Sequence, residues 1–588
     1  MTYNAPVTDM KFAMQYIAKF EEISKINKFS DYNLDLAETI LDEASKIAEN
    51  VISPLNHFSD KNPAVHNADG SVISPKGFKE AYQELAKGGW TAMEADSKWG
   101  GQNMPMILSA AVNEMWHSAS MSFALVHLLT QGQIYALQKS ASEEQKNIFI
   151  PPMLEGRWTA TMNLTEPQAG TDLSAIKTTA VKDGNHYRIK GQKIYITYGE
   201  HDISENIIHL VLAKTPNSPE GVKGISVFIV PKILVNEDGT LGKKNDIKCL
   251  SIEKKLGIKG SPTAVLQYGE NEGAIGYLVG KENMGLEIMF GMMNHARFAV
   301  GLQGLSISER SYQQAVDFAN QRVQGVPIGG KKGDTIIDHP DVLRILSVMN
   351  SEIEAMRSLL LVGGHALDKA NYSDENDRKK FETRASLLIP IIKGLITERS
   401  VEITSSALQV HGGMGFIEET GAAQHFRDSR ILPIYEGTTA IQANDLVFRK
   451  TLRDNGQAVK ELLSEIENDM KNVKDKYSKP VKETIKITED TLNYILKKAN
   501  EPRQIALNGV NWLMQLGFLC GGWLMAKSAH ICKSYDLNEY SVDFIEAKVT
   551  SAEIYISNCL PLVKYYSEII RNNEDTILKM KSSWLSKK

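Results

Sequence analysis

Apolar residues along this chain change their spacing twice, and that switch limits the architectures open to it. Up to about residue 155 the spacing is helical. Residues 34–52 carry apolar positions one helical turn apart with acidic residues between them, and 78–85 repeat the pattern. Residues 107–138 do so again through Met115, Trp116, Phe123, Leu125, Leu128 and Leu129. Trp99-Gly100-Gly101-Gln102 interrupts the pattern, and Pro151-Pro152 is expected to end the region. From about 156 to 280 the texture is that of strands. Asp183-Gly184 sits between short alternating runs over 178–193, which predicts a hairpin. The β-branched runs 207–213 and 224–230 suit buried strands, and 264–268 predicts another. Helical spacing returns over 286–320, 340–370 and 381–410. His411 closes the last of these, and Gly412, Gly413 and Gly415 stop it. Beyond 450, Leu463, Ile466, Met470, Val473 and Tyr477 form one stripe. Val481, Ile485, Thr488, Leu492 and Ile495 form another, predicting an antiparallel pair joined at Pro480.

These readings predict a mainly α chain with a small β middle domain. The expected parts are an N-terminal α-helical domain over 1–155, a β domain over 156–280, a four-helix bundle over 281–450 and a helical extension over 451–588.

Composition narrows the function classes. A net charge of −5 over 588 residues lacks the basic bias of a nucleic-acid binder. Cys249, Cys520, Cys532 and Cys559 are far apart, with no CxxC pair. They read as free thiols in a reducing compartment, so a cytoplasmic protein is expected. Residues 1–20 have no continuous apolar core and do not read as a secretory signal. Residues 504–526 carry no charge and are long enough to cross a bilayer. Asn508, Asn511 and Gln515, however, recur at helical spacing and give one face polarity, which predicts a buried bundle helix without membrane contact.

The segment Pro433-Ile434-Tyr435-Glu436-Gly437-Thr438-Thr439-Ala440-Ile441-Gln442 concentrates the chemistry. It sets one carboxylate between a ring and a glycine just before a new helix. Gly437 leaves room beside Glu436, and Thr438 and Thr439 can cap the next turn. A carboxylate shut away from water there would have a raised pKa and act as a general base. Alone, such a Glu-Gly pair is more often a solvated cap. Two further glycine-bearing segments, 162–172 and 409–416, offer main-chain donors to a polar heterocycle or a pyrophosphate, although a glycine-rich turn is more often just a turn. There is no GxGxxG after a strand and no GxxxxGK, so neither a Rossmann site nor a P-loop is supported. No His/Cys/Asp cluster has metal spacing. Glu200-His201-Asp202 reads as a surface loop, because sequence neighbours do not converge as a triad.

Taken together, the motifs resemble the acyl-CoA dehydrogenase family over roughly residues 35–450. The resemblance rests on Leu164-Thr165-Glu166-Pro167 with Gly170-Thr171-Asp172, Lys193-Ile194-Tyr195-Ile196-Thr197, Asn294-His295-Ala296-Arg297, Gln409 to Phe416, Arg427-Asp428 and Tyr435-Glu436-Gly437-Thr438, all in family order. It implies an FAD-dependent enzyme in which Glu436 is the catalytic base. Met162, Leu164, Thr165, Gly170, Thr171, Tyr195, Ile196 and Thr197 would line the flavin, and Thr438 and Ala440 would reach it. Thr171, Asn294 and Arg297 would meet the acyl-CoA substrate, with Tyr435 and Gly437 at the thioester. Arg322, Gln409, Val410, His411, Gly412 and Gly413 would contact the FAD pyrophosphate and adenosine across a subunit interface.

The sequence departs from the family in places. Tyr195 stands where many relatives have Trp, Gly325 where many have Phe, and the loop over 327–338 is longer. The residues at 3–12 and 199–207 and the extension after 450 resemble a longer subgroup that includes 3-methylmercaptopropionyl-CoA dehydrogenases. That resemblance implies 3-(methylthio)propanoyl-CoA as substrate, with a medium or long straight acyl chain, or a flavin-binding homologue without turnover, as the alternatives. It also implies a homodimer, because the extension would cover surface that shorter relatives use to form tetramers. An electron-transfer flavoprotein is the implied electron acceptor, with oxygen, as in an acyl-CoA oxidase, the rival.

Overall fold

The computed structural model describes residues 3–572 and 576–586. Helix α1 (Leu34–Ile47) starts from Asn33, whose side chain accepts the Leu36 N–H at its N-terminus. Helices α2 (Met106–Ala119) and α3 (Met121–Ser140) are buried almost all round, which is why their apolar residues are not confined to one stripe. Helix α4 (Glu143–Leu154) opens on a capping box between Ser142 and Gln145. Pro151 and Pro152 lie inside its last turn, where the helix had been expected to have ended already.

The strand region forms one eight-stranded sheet. Its members are β1 (Trp158–Asn163), β2 (Thr179–Asp183), β3 (His186–Thr197), β4 (Asn206–Lys214), β5 (Ile225–Pro231), β6 (Ile247–Ile252), β7 (Thr263–Tyr268) and β8 (Ala274–Leu278). The order is β6-β7-β3-β8-β5-β4-β1, with β2 bridging β3 and β4. Strand β1 runs parallel to β4, Trp158 opposite Asn206, whereas β4 and β5 pair antiparallel. The predicted hairpin is β2–β3, with Lys182 opposite Tyr187. Strands β4 and β5 are buried at nearly every position, as their uninterrupted β-branched runs require.

Three long helices follow, α5 (Gly285–Gln321), α6 (Pro340–Tyr372) and α7 (Glu375–His411). Helices α5 and α7 approach so closely that a Cβ at Gly301 would lie 2.5 Å from Ile392 Cγ2. After the short helix α8 (Thr439–Asn444), the extension adds α9 (Gln457–Asp469), α10 (Asp475–Lys497), α11 (Pro502–Ser534) and α12 (Val542–Asn558). The break between the two amphipathic stripes falls over 470–474, not at Pro480, which lies within α10. Helix α11 contains the uncharged run and is buried in the bundle. Gln515 on its polar face donates to Thr491 Oγ1 of α10 (3.1 Å), and Trp512 Nε1 donates to Thr451 Oγ1 (3.2 Å). Among the described residues no helix is long and apolar enough to cross a membrane. All four cysteines are free and buried.

The two ends of the chain meet on α6. Lys548 of α12 bonds Asp9 and lies 3.2 Å from Glu354. One turn along, Arg357 lies between Glu114 of α2 (2.7 Å) and Glu309 of α5 (2.6 Å). Tyr3 is fully buried nearby. The extension is therefore packed into the same core as the rest and is not an appended module.

Candidate active site

Glu436 and Gly437 both occupy left-handed backbone, at φ +54° and +87°. Glycine adopts that conformation freely, whereas a glutamate there costs about 1–2 kcal/mol. The surrounding side chains hold the step in place. Lys393 Nζ of α7 donates to the Gly437 carbonyl at 2.7 Å. Gln442 Nε2 donates to the Glu436 carbonyl (3.3 Å) and the Gly437 carbonyl (3.2 Å). A Cβ at position 437 would stand 2.8 Å from that amide. Thr438 Oγ1 accepts the Ile441 N–H and caps α8, while Thr439 Oγ1 donates to Glu398 of α7 at 2.5 Å. The Tyr435 hydroxyl donates to Gln303 of α5.

The Glu436 side chain is half-buried. Loss of solvent raises its pKa above the usual carboxylate range, and the positive charges of Arg297 and Lys393 oppose that rise. Arg297 is buried on α5, 3.4 Å from Asp445, and its Nε has no hydrogen-bond partner. Arg297 thus lies within electrostatic reach of the carboxylate, while Asn294, one turn earlier on α5, is exposed. Burial also depresses the Lys393 pKa to about 8 against the pull of Glu436 and Glu398.

A second group of predicted residues gathers at the β1–β3 edge. Lys193, fully buried, donates to Glu166 (2.8 Å) and to the Leu164 carbonyl (3.0 Å), and the Ile194 N–H donates to the Thr165 carbonyl (2.9 Å). Glu166 also accepts from the Lys177 and Thr178 main-chain N–H groups. Burial works against its charge, but Lys193 and these donors hold the pKa down to about 2. This buried pair ties the 164–166 turn to β3 and presents Tyr195, which is 61% exposed at φ +61°. Thr197 is half-buried and Thr171 exposed, and a Cβ at Gly170 would meet nothing within 4 Å. The Ile196 side chain points instead into the β-domain core, leaving only its main chain for a ligand.

Helix α5 joins the two groups. Met162, at the end of β1, packs with Leu128, Leu129 and Ala299, and Ala299 is two residues from Arg297.

The sequence was compared with known proteins. Family models for the acyl-CoA dehydrogenase N-terminal, middle and C-terminal domains match residues 36–157, 161–270 and 283–450, and one described as acetyl-CoA dehydrogenase C-terminal like matches 459–581. The chain belongs to the acyl-CoA dehydrogenase family. Among similar acyl-CoA dehydrogenases, 3-methylmercaptopropionyl-CoA dehydrogenase of Ruegeria pomeroyi is 42% identical, over 98% of this chain and 99% of that one. A butyryl-CoA dehydrogenase of Syntrophomonas wolfei is 34% identical over 95% of each. The solved acyl-CoA dehydrogenase of Bacillus anthracis, complexed with FAD, superposes with a TM-score of 0.73 at 21% identity, covering 96% of this chain and 91% of that one. The chain is accordingly an acyl-CoA dehydrogenase-type flavoprotein oxidoreductase.

For an acyl-CoA dehydrogenase the residues present fit a flavin dinucleotide in two separate places. The exposed Tyr195 ring, the open backbone at Gly170 and the half-buried Thr438 and exposed Ala440 offer a planar face and polar donors. The other predicted contacts lie at the far end of the bundle. Arg322 caps the C-terminus of α5, 25 residues beyond Arg297 and so about 37 Å away at 1.5 Å per residue. His411 stacks on Phe318 there (4.6 Å), and its Nδ1 bonds the Ala407 carbonyl. Val410 is buried in the core. Gln409, Gly412 and Gly413 are exposed, with open space where Cβ atoms of the two glycines would lie. This set thus lies at the opposite end of α5 from Arg297.

Glu200-His201-Asp202 is a loop, as expected, but only Asp202 of the three is exposed. His201 is buried, its Nε2 3.0 Å from Thr159 Oγ1, and Glu200 pairs with Lys232. Sequence reading also missed Lys393. Its signal was a single cation inside the uncharged run 385–396, where a charge must have a buried partner.

Proposed function

We propose that the protein is an FAD-dependent acyl-CoA dehydrogenase with Glu436 as base, and that 3-(methylthio)propanoyl-CoA is its substrate. The observation that carries the chemistry is a carboxylate held at a fixed left-handed step, with its pKa raised by burial and two cations within electrostatic reach. Such a group is charged enough to accept a proton and basic enough to want one. The thioester carbonyl would lie against main-chain N–H groups of the 436–437 step, which stabilise the developing oxyanion. Glu436 would then take the α-proton. FAD bound at the Tyr195 face would supply the acceptor for the β-hydrogen and its electron pair, leaving a 2,3-enoyl thioester. Met162, Leu164, Thr165, Gly170, Thr171, Thr197, Thr438 and Ala440 are proposed as flavin contacts, with Ile196 contributing main chain only. Thr171, Asn294, Tyr435 and Gly437 are proposed for the substrate.

Arg322, Gln409, Gly412 and Gly413 would serve the cofactor of a second copy, so the working unit is a homodimer. The separation of this end of α5 from Arg297, about 37 Å along the helix, supports this, as do Phe416 and Ile328, each 88% exposed in the segments that follow α7 and α5. An electron-transfer flavoprotein in the cytoplasm is the proposed acceptor, on the family resemblance and the four free thiols.

The full-length similarity to the Ruegeria enzyme supports the methylthio substrate. The similarity to butyryl-CoA dehydrogenase favours a straight short acyl chain as the second reading. A panel of acyl-CoA thioesters with an artificial electron acceptor decides between them. The first reading requires the highest kcat/KM with 3-(methylthio)propanoyl-CoA, and a clear preference for butyryl-CoA would replace it.

A further inference from the structure

The grip of α7 on the 436–439 turn assigns a role to a residue outside the motifs. Lys393 is fully buried, projects from the middle of α7 and ends on the Gly437 carbonyl. Five residues on, Glu398 takes the Thr439 hydroxyl, so two side chains of one helix hold both sides of the turn. A lysine brought out of water loses hydration that one carbonyl does not replace, so a merely structural strut at this place is better made from an uncharged donor. Gln442 already supplies one, bonding the same carbonyl from α8. What Lys393 adds is charge. The groups facing it are Glu436 on the turn, Glu398 on its own helix and Arg297 from α5. Arg297 is itself engaged by Asp445, leaving Lys393 as the cation tied to the turn that bears the carboxylate.

We propose that Lys393 is a positioning residue for the base. Its ammonium locks the left-handed Glu436–Gly437 step through the Gly437 carbonyl and keeps a positive charge near the carboxylate, which favours its ionised form. The proposal rests on Glu436 being the base.

The sign of the effect is fixed. Removing the positive charge leaves burial less opposed, so the Glu436 pKa rises and the active carboxylate form is reached only at higher pH. The test uses the FAD-loaded enzyme, with K393M, K393Q and K393R beside E436Q, and rates expressed per bound flavin. In K393M and K393Q the acid limb of the kcat profile should move up by about one pH unit, which lowers kcat on that limb by up to about tenfold, with KM changed little. K393R retains the charge and should retain the acid limb. A purely structural lysine would lower the yield of flavin-loaded protein and leave the profile per flavin in place; that outcome, or wild-type kcat and limb in K393M, overturns the proposal. Should K393M lose its flavin, the contrast of K393R with K393Q carries the same decision. E436Q separates the two readings. If it turns over normally, the base is misassigned; if it is dead while the Lys393 variants match wild type, only the Lys393 role falls.

Discussion

Lys193 and Glu166 form a buried ion pair, 2.8 Å apart, with Lys193 two residues before the exposed Tyr195. Removing one partner leaves the other charged and without compensation. Lys193→Met should therefore cost about 3–5 kcal/mol of stability and loosen the turn that carries Leu164 and Thr165. Thermal unfolding and flavin retention on gel filtration check this. The pH dependence follows from Glu166, whose folded pKa of about 2 lies below its ordinary 4.5. Its contribution is present above pH 4.5 and is lost as pH falls through 2. Glu166→Gln should flatten that part of the stability curve.

Glu436→Gln replaces the base by an isosteric amide with no proton affinity. It should keep FAD and bind acyl-CoA, yet lose at least about a thousandfold in dehydrogenation. Anaerobic bleaching of the flavin on adding an acyl-CoA thioester is the direct measurement. Bleaching at the wild-type rate would remove Glu436 from the chemistry.

Phe416 extends into solvent beside Met414 and Ile417, which are also exposed. Such a cluster on the loop after α7 is expected to be covered by a second chain. Phe416→Asp should halve the mass seen by light scattering and release FAD in parallel. An unchanged mass would place the dimer contact elsewhere.

Lys548→Met removes the cation shared by Asp9 and Glu354, leaving a half-buried and a buried carboxylate near each other without their cation. A loss of about 3–5 kcal/mol is expected. Urea unfolding followed by both tryptophan fluorescence and circular dichroism should show the midpoint falling. The two probes should still coincide, because the extension shares the core of the rest.

Much of the architecture was legible from period alone. The three long helices, the Asp183-Gly184 hairpin and the buried strands β4 and β5 each have a strong local pattern. The strands Trp158–Asn163, Ile247–Ile252 and Ala274–Leu278 did not, because they are short and take their conformation from their neighbours in the sheet. The two proline misreadings share a cause. Pro151-Pro152 and Pro480 all lie inside helices, where each gives up an intrahelical hydrogen bond, and the packing of those helices outweighs that local cost. Glu436 stood out because a carboxylate between a ring and a glycine is local. Lys393 and Arg297 act on it through space, from helices 43 and 139 positions away in the chain, and no window of sequence contains that meeting.

The pairing of Lys548 with Asp9 spans 539 positions. At about 5–20 residues per second, a ribosome delivers the lysine roughly half a minute to two minutes after the aspartate. Throughout that interval Phe12 lacks the Tyr540 and Phe544 rings that pack on it at 5.7 and 5.8 Å in the finished protein. The opening helix therefore gains its last aromatic neighbours and its ion pair only when the final part of synthesis has been made.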